Sequence, residues 1–317
     1  MTEQIQRYTL SPLVTVGIPT FNRPEGLRRT LENITNQTYK NLEIIVSDNC
    51  SPTNEPDELV MSFMRKDSRI TFHKQEKNLG PSLNFKFLLE KASGEYFMWA
   101  ADDDKWELNF IESIINEFSN SDSSIVAINT EAQYTVQNEL QPFFSEGKLF
   151  YESYGNNLLE RIMHILKYNY GNLMYSIFRT SCLFKEDKSV FSFTNNVSLN
   201  EIPLLIFVSQ YGKFKIIPDV LFYKETNLNT YQQAKWEFEG GQIPFMSRMM
   251  NIDEMESTIR YHRDAFYDIS KMLSNINIDG EERIKIQTVL YDILTKHTIN
   301  LILSKKVLNE RLCDNLY

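Results

Sequence analysis

Between residues 13 and 130, short apolar runs alternate with segments in which apolar residues recur every three or four positions, and no other feature of the chain restricts its fold as strongly. Strands joined through helices are covered on both faces and read as continuous apolar runs, whereas the helices between them need only one apolar face. The spacing predicts strands at Leu13–Ile18, Leu42–Ser47, Arg69–His73, Glu95–Ala101 and Ser124–Asn129. The intervening helices are carried by Leu27, Leu31 and Ile34, by Leu59, Val60, Phe63 and Met64, by Asn84, Phe87, Leu88 and Lys91, and by Phe110, Ile111, Ile114, Ile115 and Phe118. Pro24 and Pro81 suit first helical positions, Pro19 ends the first strand, and Gly94 closes the third helix. Crossovers of this length make successive strands parallel and their connections right-handed. The expected fold class is α/β: a doubly wound, mixed, mostly parallel sheet flanked by helices.

Beyond Thr130 the pattern loosens, and Thr130 to Tyr154 reads as a hairpin or a loop over the sheet edge. Leu158, Leu159, Ile162, Met163 and Leu166 predict a helix, and Leu173–Phe178 a strand returning to the sheet. Ile202, Leu205, Phe207 and Val208 mark another helix with Gly212 as its C-cap, followed by short strands Phe214–Ile217 and Val220–Tyr223 around Pro218. Thr258–Leu273 and Glu281–Leu303 have helical spacing, broken at Asn277–Gly280, which predicts a helical C-terminal extension.

The formal charge of −9 is unsuited to a nucleic-acid binder, which presents basic surface to phosphates. Cys50, Cys182 and Cys313 form neither a disulfide framework nor a zinc spacing, which fits a reducing cytoplasm. Met1 to Leu13 lacks the apolar core of a signal peptide, and no run reaches the ~18 apolar residues of a membrane span. The expected location is cytoplasmic, at most peripheral at the inner face of a membrane. The helices after residue 255 would pack on the sheet domain, self-associate into a homo-oligomer, or lie on a membrane, for which Lys305, Lys306 and Arg311 offer little basic charge.

Chemistry concentrates where the fourth strand ends in Asp102, Asp103 and Asp104, at the carboxyl edge where open parallel sheets bind ligands. Adjacent carboxylates repel by roughly 4 kcal/mol per pair at 4 Å and an effective dielectric of 20. Such a triplet is either solvated, with Asp104 free to cap the next helix, or holds a hard divalent cation. Neither G-x-G-x-x-G nor G-x-x-x-x-G-K-[ST] is present, so a phosphate ligand would have to be met by a metal or by side chains.

Several ordered pieces resemble family 2 glycosyltransferases, inverting nucleotide-sugar enzymes of the GT-A-type fold. Val16-Gly-Ile-Pro-Thr-Phe-Asn-Arg23 is similar to the family's opening strand and turn, Glu43-Ile-Ile-Val-Ser-Asp-Asn49 to its second strand with a base-binding acid, and Lys77-Asn-Leu-Gly80 with Asn84 to its next segment. Asp102-Asp-Asp104, with Trp106 following, resembles its D-x-D signature. The resemblance covers about residues 13 to 130. It implies a catalytic domain over 1–235, with a nucleotide-sugar half (1–130) and an acceptor half (131–235), followed by a helical region over 236–317.

The resemblance also implies roles. Asp102 and Asp104 would hold Mn2+ or Mg2+, and Asp103 would meet the ribose or donor sugar. Asp48 would accept from the uracil N3–H, its alternative being an Asx turn or cap. Pro19, Phe21, Arg23 and Asn78 would line the nucleotide site, although Phe21 suits a core position and Arg23 a solvated helix start equally well, and Asn78 and Asn84 suit an ordering role in the loop better than substrate contact. Glu201, before an apolar helix, matches the acid that deprotonates the acceptor, its alternative being a carboxylate that complements the helix dipole. The implied substrates are a UDP-linked sugar and a saccharide or lipid-linked acceptor in surface polysaccharide biosynthesis. Two departures stand out. Ala101 replaces a further acid of many relatives, and Tyr223-Lys224-Glu225-Thr226 stands where they place a metal-binding His, so Glu225 becomes the candidate substitute. A sugar nucleotidyltransferase and a catalytically silent scaffold on the same fold are the competing readings.

Overall fold

The computed structural model describes residues 11–137, 139–141, 155–168, 172–193, 201–226, 263–264 and 266–292. Its first half alternates as expected: β1 (Val14–Thr20), α1 (Pro24–Thr35), β2 (Leu42–Asp48), α2 (Glu55–Met64), β3 (Ile70–Lys74), α3 (Pro81–Lys91) and β4 (Tyr96–Trp99). The two-residue β5 (Lys105–Trp106) follows, then α4 (Phe110–Asn120), β6 (Ile125–Val136) and β7 (Glu139–Leu140). The second half contains α5 (Leu158–Tyr168), β8 (Ile177–Arg179), a small hairpin of β9 (Phe184–Lys185) and β10 (Lys188–Ser189), α6 (Glu201–Ser209) and β11 (Lys213–Thr226).

The main sheet runs β3-β2-β1-β4-β8-β6-β11-β5, with β7 paired to β6. Strands β1 to β4 are mutually parallel, β8 runs against both β4 and β6, β11 is parallel to β6, and β5 is antiparallel to β11. This is the mixed, mostly parallel sheet that the alternation predicts. All seven residues of β1 are buried, as are Leu27, Leu31 and Ile34 of α1 and all five predicted apolar residues of α4.

Several boundaries differ, each for a physical reason. Strand β1 continues through Pro19 to Thr20. Gly17 O accepts from Ala100 N on the β4 side and Thr20 O accepts from Asn49 N on the β2 side, so alternation turns the proline nitrogen toward β4, beyond that strand's last residue, where no donor is needed. Helix α3 buries Phe85, Leu88 and Leu89 with Asn84, while Phe87 is only half-buried and Lys91 is exposed. It ends at Lys91, before Gly94, which instead is pressed against Thr15 and Leu13 with no room for a Cβ. Leu173 lies in a single 3-10 turn, Asn172–Tyr175, and the strand begins only at Ile177. The fifth predicted strand extends to Val136 and turns back through β7, which resolves the start of the loosened segment as a hairpin.

Phe214–Ile217 and Val220–Tyr223 are one strand, β11, because Pro218 and Asp219 sit exposed at a register shift that absorbs them as a bulge. Gly212 is not the C-cap of α6, which ends at Ser209; a Cβ there would lie 2.1 Å from Ser124 O, so the glycine permits close backbone approach. Residues 266–273 and 280–292 are helical, and the predicted break falls between them; the outer ends of both predicted helices lie outside the described residues. Ile269, Met272, Leu273, Ile286 and Leu290 are buried, so this region packs against protein. Among the described residues no helix is long and apolar enough to cross a membrane.

Candidate active site

The acidic corner is held from below by α1. A Cβ on Gly26 would lie 2.1 Å from Asp102 O, so only glycine lets the helix approach this closely. Thr30 Oγ1 donates to Ala101 O at 3.1 Å, and Asn33 Nδ2 donates to Trp106 O at 2.7 Å while Asn33 Oδ1 accepts from Trp106 N. Just past the helix, Gln37 Nε2 donates to Glu107 O at 2.9 Å. Positions 26, 30 and 33 lie on one stripe of the helix and, with Gln37 beyond its end, clamp the backbone on both sides of the acids.

Asp102 is 6% exposed; Thr20 Oγ1 donates to its Oδ2 at 2.8 Å and Arg23 Nη1 to its Oδ1 at 3.3 Å. Arg23 also donates to Asp103 Oδ2 at 2.6 Å, so from the exposed start of the helix it serves as the acids' counter-ion. Asp104 is 4% exposed, and its Oδ1 accepts from Glu225 N at 3.1 Å. Its Oδ2 is buried without a hydrogen-bond partner. Burial, reinforced by Asp103, pushes Asp102 up to about 6 against the pull of Thr20 and Arg23. Burial likewise pushes Asp104 up to about 7, with Lys224 opposing and Asp103 and Asp102 adding to the rise. Among the described residues no three His, Cys, Asp or Glu side chains form a metal-holding cluster. Two buried carboxylates, one with an orphaned oxygen, nevertheless fit a divalent cation completed by ligand oxygens or water.

On one side of Asp103 a cleft of about 370 Å3 is lined by Pro19, Phe21, Arg23, Asn49, Asn78 and Asp102. Phe21 is 44% exposed there and is not a core residue. Asp48 is not among the cleft's lining residues: it is fully buried, and both its oxygens accept from Ser51 N, three residues on, at 3.1–3.2 Å, a capping bond of the kind that was its alternative role. The turn carries Cys50 at φ 67°, a strained conformation for a non-glycine residue, and presents Asn49 to the cleft instead. Asn49 Nδ2 donates to Asn78 Oδ1 at 3.1 Å and its Oδ1 accepts from Leu79 N, while Asn84 is bonded to Ser47, so these amides order the loop. On the other side of Asp103 lies a cavity of about 760 Å3, lined in part by Arg29, Asp104, Lys105, Tyr223 and Glu225.

Glu201 is the first residue of α6, and burial pushes its carboxyl up to about 8 against the opposing charge of Lys224. Lys224 Nζ stands 4.3 Å from the centre of the Tyr175 ring. Burial disfavours its charge, but Tyr175, Asp104, Glu201 and Tyr134 outweigh this and hold the ammonium firmly protonated. The charge of Lys224 thus opposes the upward shift of both Asp104 and Glu201. Glu225 meets Asp104 through its backbone, and its side chain accepts from Thr135 Oγ1 at 2.6 Å. Sequence reasoning did not single out Asn49, Tyr175 or Lys224 as site residues. Lys224 carried a faint signal as the cation that directly follows the apolar run Val220–Tyr223.

Residues 15–176 match the family model described as glycosyl transferase family 2. A β-1,3-glucosyltransferase of Campylobacter jejuni, named for a GalNAc(5)-diNAcBac-PP-undecaprenol acceptor, is 39% identical over 95 residues, 30% of this chain and 30% of the relative. The first curated relatives, from Rickettsia species, are matched over 36%, 19% and 17% of their length, so the shared stretch spans about a third of them or less. Among solved structures, residues 1–349 of S. aureus TarS in complex with UDP-GlcNAc superpose with a TM-score of 0.56 at 14% identity, covering 94% of this chain and 91% of that one. The mannosyltransferase PcManGT from Pyrobaculum calidifontis, in complex with GDP-Man and Mn2+, gives 0.55 at 14% identity, covering 98% and 82%. These likenesses establish a GT-A-type fold. With the family match extending over half of the sequence, the chain belongs to glycosyl transferase family 2.

Proposed function

We propose that the chain is an inverting, metal-dependent glycosyltransferase that moves a sugar from a UDP-linked donor to a saccharide or lipid-linked acceptor in surface polysaccharide biosynthesis. The observation that carries the reading is the pair of buried carboxylates, Asp102 on a cleft of nucleotide size and Asp104, with an orphaned oxygen, on the cavity beyond Asp103. Relatives whose names include a UDP-sugar, a Mn2+ complex and a polyprenyl-diphosphate acceptor support the choice of substrates.

The cleft would take the nucleoside, with Phe21 against the base or ribose and Asn49 and Asn78 offering amide edges. Asp102 and Asp104 would hold Mn2+ or Mg2+, which when bound neutralises the leaving diphosphate as a Lewis acid. Asp103 would meet the ribose or the donor sugar. Glu201 would take the proton from the acceptor hydroxyl as that oxygen attacks the anomeric carbon, and the carbon's bond to the diphosphate breaks on the opposite side, inverting the centre.

Glu201→Gln is expected to lower transfer by roughly 10²–10⁴-fold while leaving UDP binding intact. A base must be ionised, and burial keeps Glu201 protonated below about 8, so at saturating Mn2+ the wild-type rate should climb with pH and level off above about 8. Full activity in the variant would remove Glu201 from this role. The reading as a whole is tested by calorimetry of UDP with and without Mn2+, followed by transfer assays over a donor and acceptor panel. Mn2+-independent UDP binding, or none, would overturn the metal site. A silent nucleotide-binding protein has one observation in its favour, the pairing of Arg23 with two of the acids, and metal-dependent binding without transfer would be its signature.

A further inference from the structure

A cleft that takes a nucleotide must tell one base from another, and the acid at the end of β2 is turned away from that task. Asp48 is fully buried, its oxygens accept from Ser51 N, and it is not among the residues that line the cleft. The cleft presents two amides instead, Asn49 and Asn78. A backbone donor fixes the orientation of each: Leu79 N donates to Asn49 Oδ1 and Gly80 N to Asn78 Oδ1, both at 2.8 Å. Gly80 makes its bond at φ 78° and ψ 166°, a conformation that belongs essentially to glycine. Asn49 Nδ2 donates to the same Asn78 Oδ1 at 3.1 Å, so both lone pairs of that oxygen are taken. Asn49 is 5% exposed, whereas Asn78 is exposed, and among the described residues Asn78 Nδ2 has no hydrogen-bond partner. The capacity left to Asn78 is therefore two N–H donors and no acceptor.

We propose that Asn78, oriented by Asn49, selects the nucleobase of the donor, and that it selects a keto edge, that of uracil. The inference rests on the UDP-sugar reading above and deepens it. Uracil and cytosine have the same shape and differ on one edge, where uracil carries a carbonyl oxygen and cytosine an amino group. An N–H of Asn78 donates to the uracil oxygen. Against the cytosine amino group the same N–H meets another donor, and both lose water without gaining a bond. A carboxylate at position 78 would reverse the choice, because it accepts from the amino group and repels the carbonyl. Asn49 is the positioning residue of the pair: its bonds run inward to Leu79 and Asn78, and it holds the Asn78 amide with its oxygen toward the loop.

The test is calorimetry of UDP and CDP on the full chain at a fixed, saturating concentration of Mn2+. Wild type should bind UDP about ten- to a hundredfold more tightly than CDP. Asn78→Asp is the discriminating variant, because its inward oxygen still accepts from Gly80 N and Asn49 Nδ2 while the outward amino group becomes an oxygen. It should melt within a few degrees of wild type and bring the ratio of the two affinities to one or below. The added charge acts on both diphosphates alike and cancels in that ratio. Asp48→Asn should melt lower and keep the wild-type preference, since its bonds are to Ser51. A wild-type ratio near one, or a preference for UDP that survives in Asn78→Asp, overturns the assignment, and loss of the preference in Asp48→Asn alone returns base reading to the acid. Should Asn78→Asp fail to fold, Asn78→Ala decides: removal of a base reader brings the ratio toward one, whereas a merely loosened loop weakens both ligands and leaves the ratio unchanged. A chain that binds neither UDP nor CDP overturns the nucleotide reading together with this inference.

Discussion

Asp104→Asn is expected to cut transfer by roughly 10²–10³-fold and to abolish the stimulation of UDP binding by Mn2+, while melting within a few degrees of wild type. Two opposed effects keep the stability change small. The amide removes the cost of a buried carboxylate pushed up to about 7, but it leaves Lys224 with fewer acidic partners. The amide oxygen still accepts from Glu225 N, so the loop keeps its anchor. The pH dependence separates the two effects. A carboxyl whose folded value lies above its unfolded value, near 3.8, stabilises the fold least when ionised, so wild-type stability should decline as pH rises from about 4 to about 7. In the variant that decline should be shallower, with the part due to Asp102 remaining. Thermal melts at pH 5 and 8 measure the difference, and equal slopes in the two proteins would show that Asp104 is not held protonated by burial.

Gly26→Ala is expected to destabilise the fold by about 3 kcal/mol and to lose Mn2+ binding with it. Helix propensity alone predicts the reverse, a gain of up to about 1 kcal/mol for alanine over glycine. The collision decides the sign: the added carbon would lie 2.1 Å from a backbone oxygen, which cannot rotate aside as a side chain could. Relief requires α1 or the acid-bearing loop to move, and Thr30, Asn33 and Gln37 tie the two together at the further points, so displacement at Gly26 spreads to Asp102. A melting temperature lowered by roughly 6–12 °C corresponds to this cost in a domain of this size. A more stable Gly26→Ala protein would mean that α1 does not approach the acids this closely.

The parts legible in the sequence are those whose burial is decided locally. Helix α4 could be read because Phe110, Ile111, Ile114, Ile115 and Phe118 repeat with the helical period, and β1, β2 and the acids at the end of β4 because buried parallel strands are continuous apolar runs. The polar clamp formed by Thr30 and Asn33 of α1 and Gln37 just beyond it is not legible in the sequence, because these residues look like an ordinary solvated face; their partners lie some seventy positions away. On α3 the face was misjudged toward Phe87 and Lys91 because two overlapping apolar stripes share Leu88, and only packing on the sheet chooses Phe85 and Leu89. Pro218 divided β11 in the sequence because a proline reads as a break, whereas pairing with β6 carries the strand past it. Lys224 belongs to the same class: its burial and its partners come from Asp104, Tyr175 and Glu201, none of which is near it in the chain.

The short strand β5 has a consequence for the order in which the site is built. Lys105 and Trp106 pair with Tyr223 and Phe222, and the rings of Trp106 and Phe222 stack at 5.5 Å. The far end of the acid-bearing loop is therefore fixed across more than a hundred intervening residues, among the longest-range and slowest closures a chain makes. The sheet from β1 to β4 can assemble while Asp104 still lacks its amide partner and Lys224. The acidic corner is therefore expected to be completed late in folding, together with the burial of Trp106, and stopped-flow fluorescence of a chain in which Trp106 is the one remaining tryptophan would time that event.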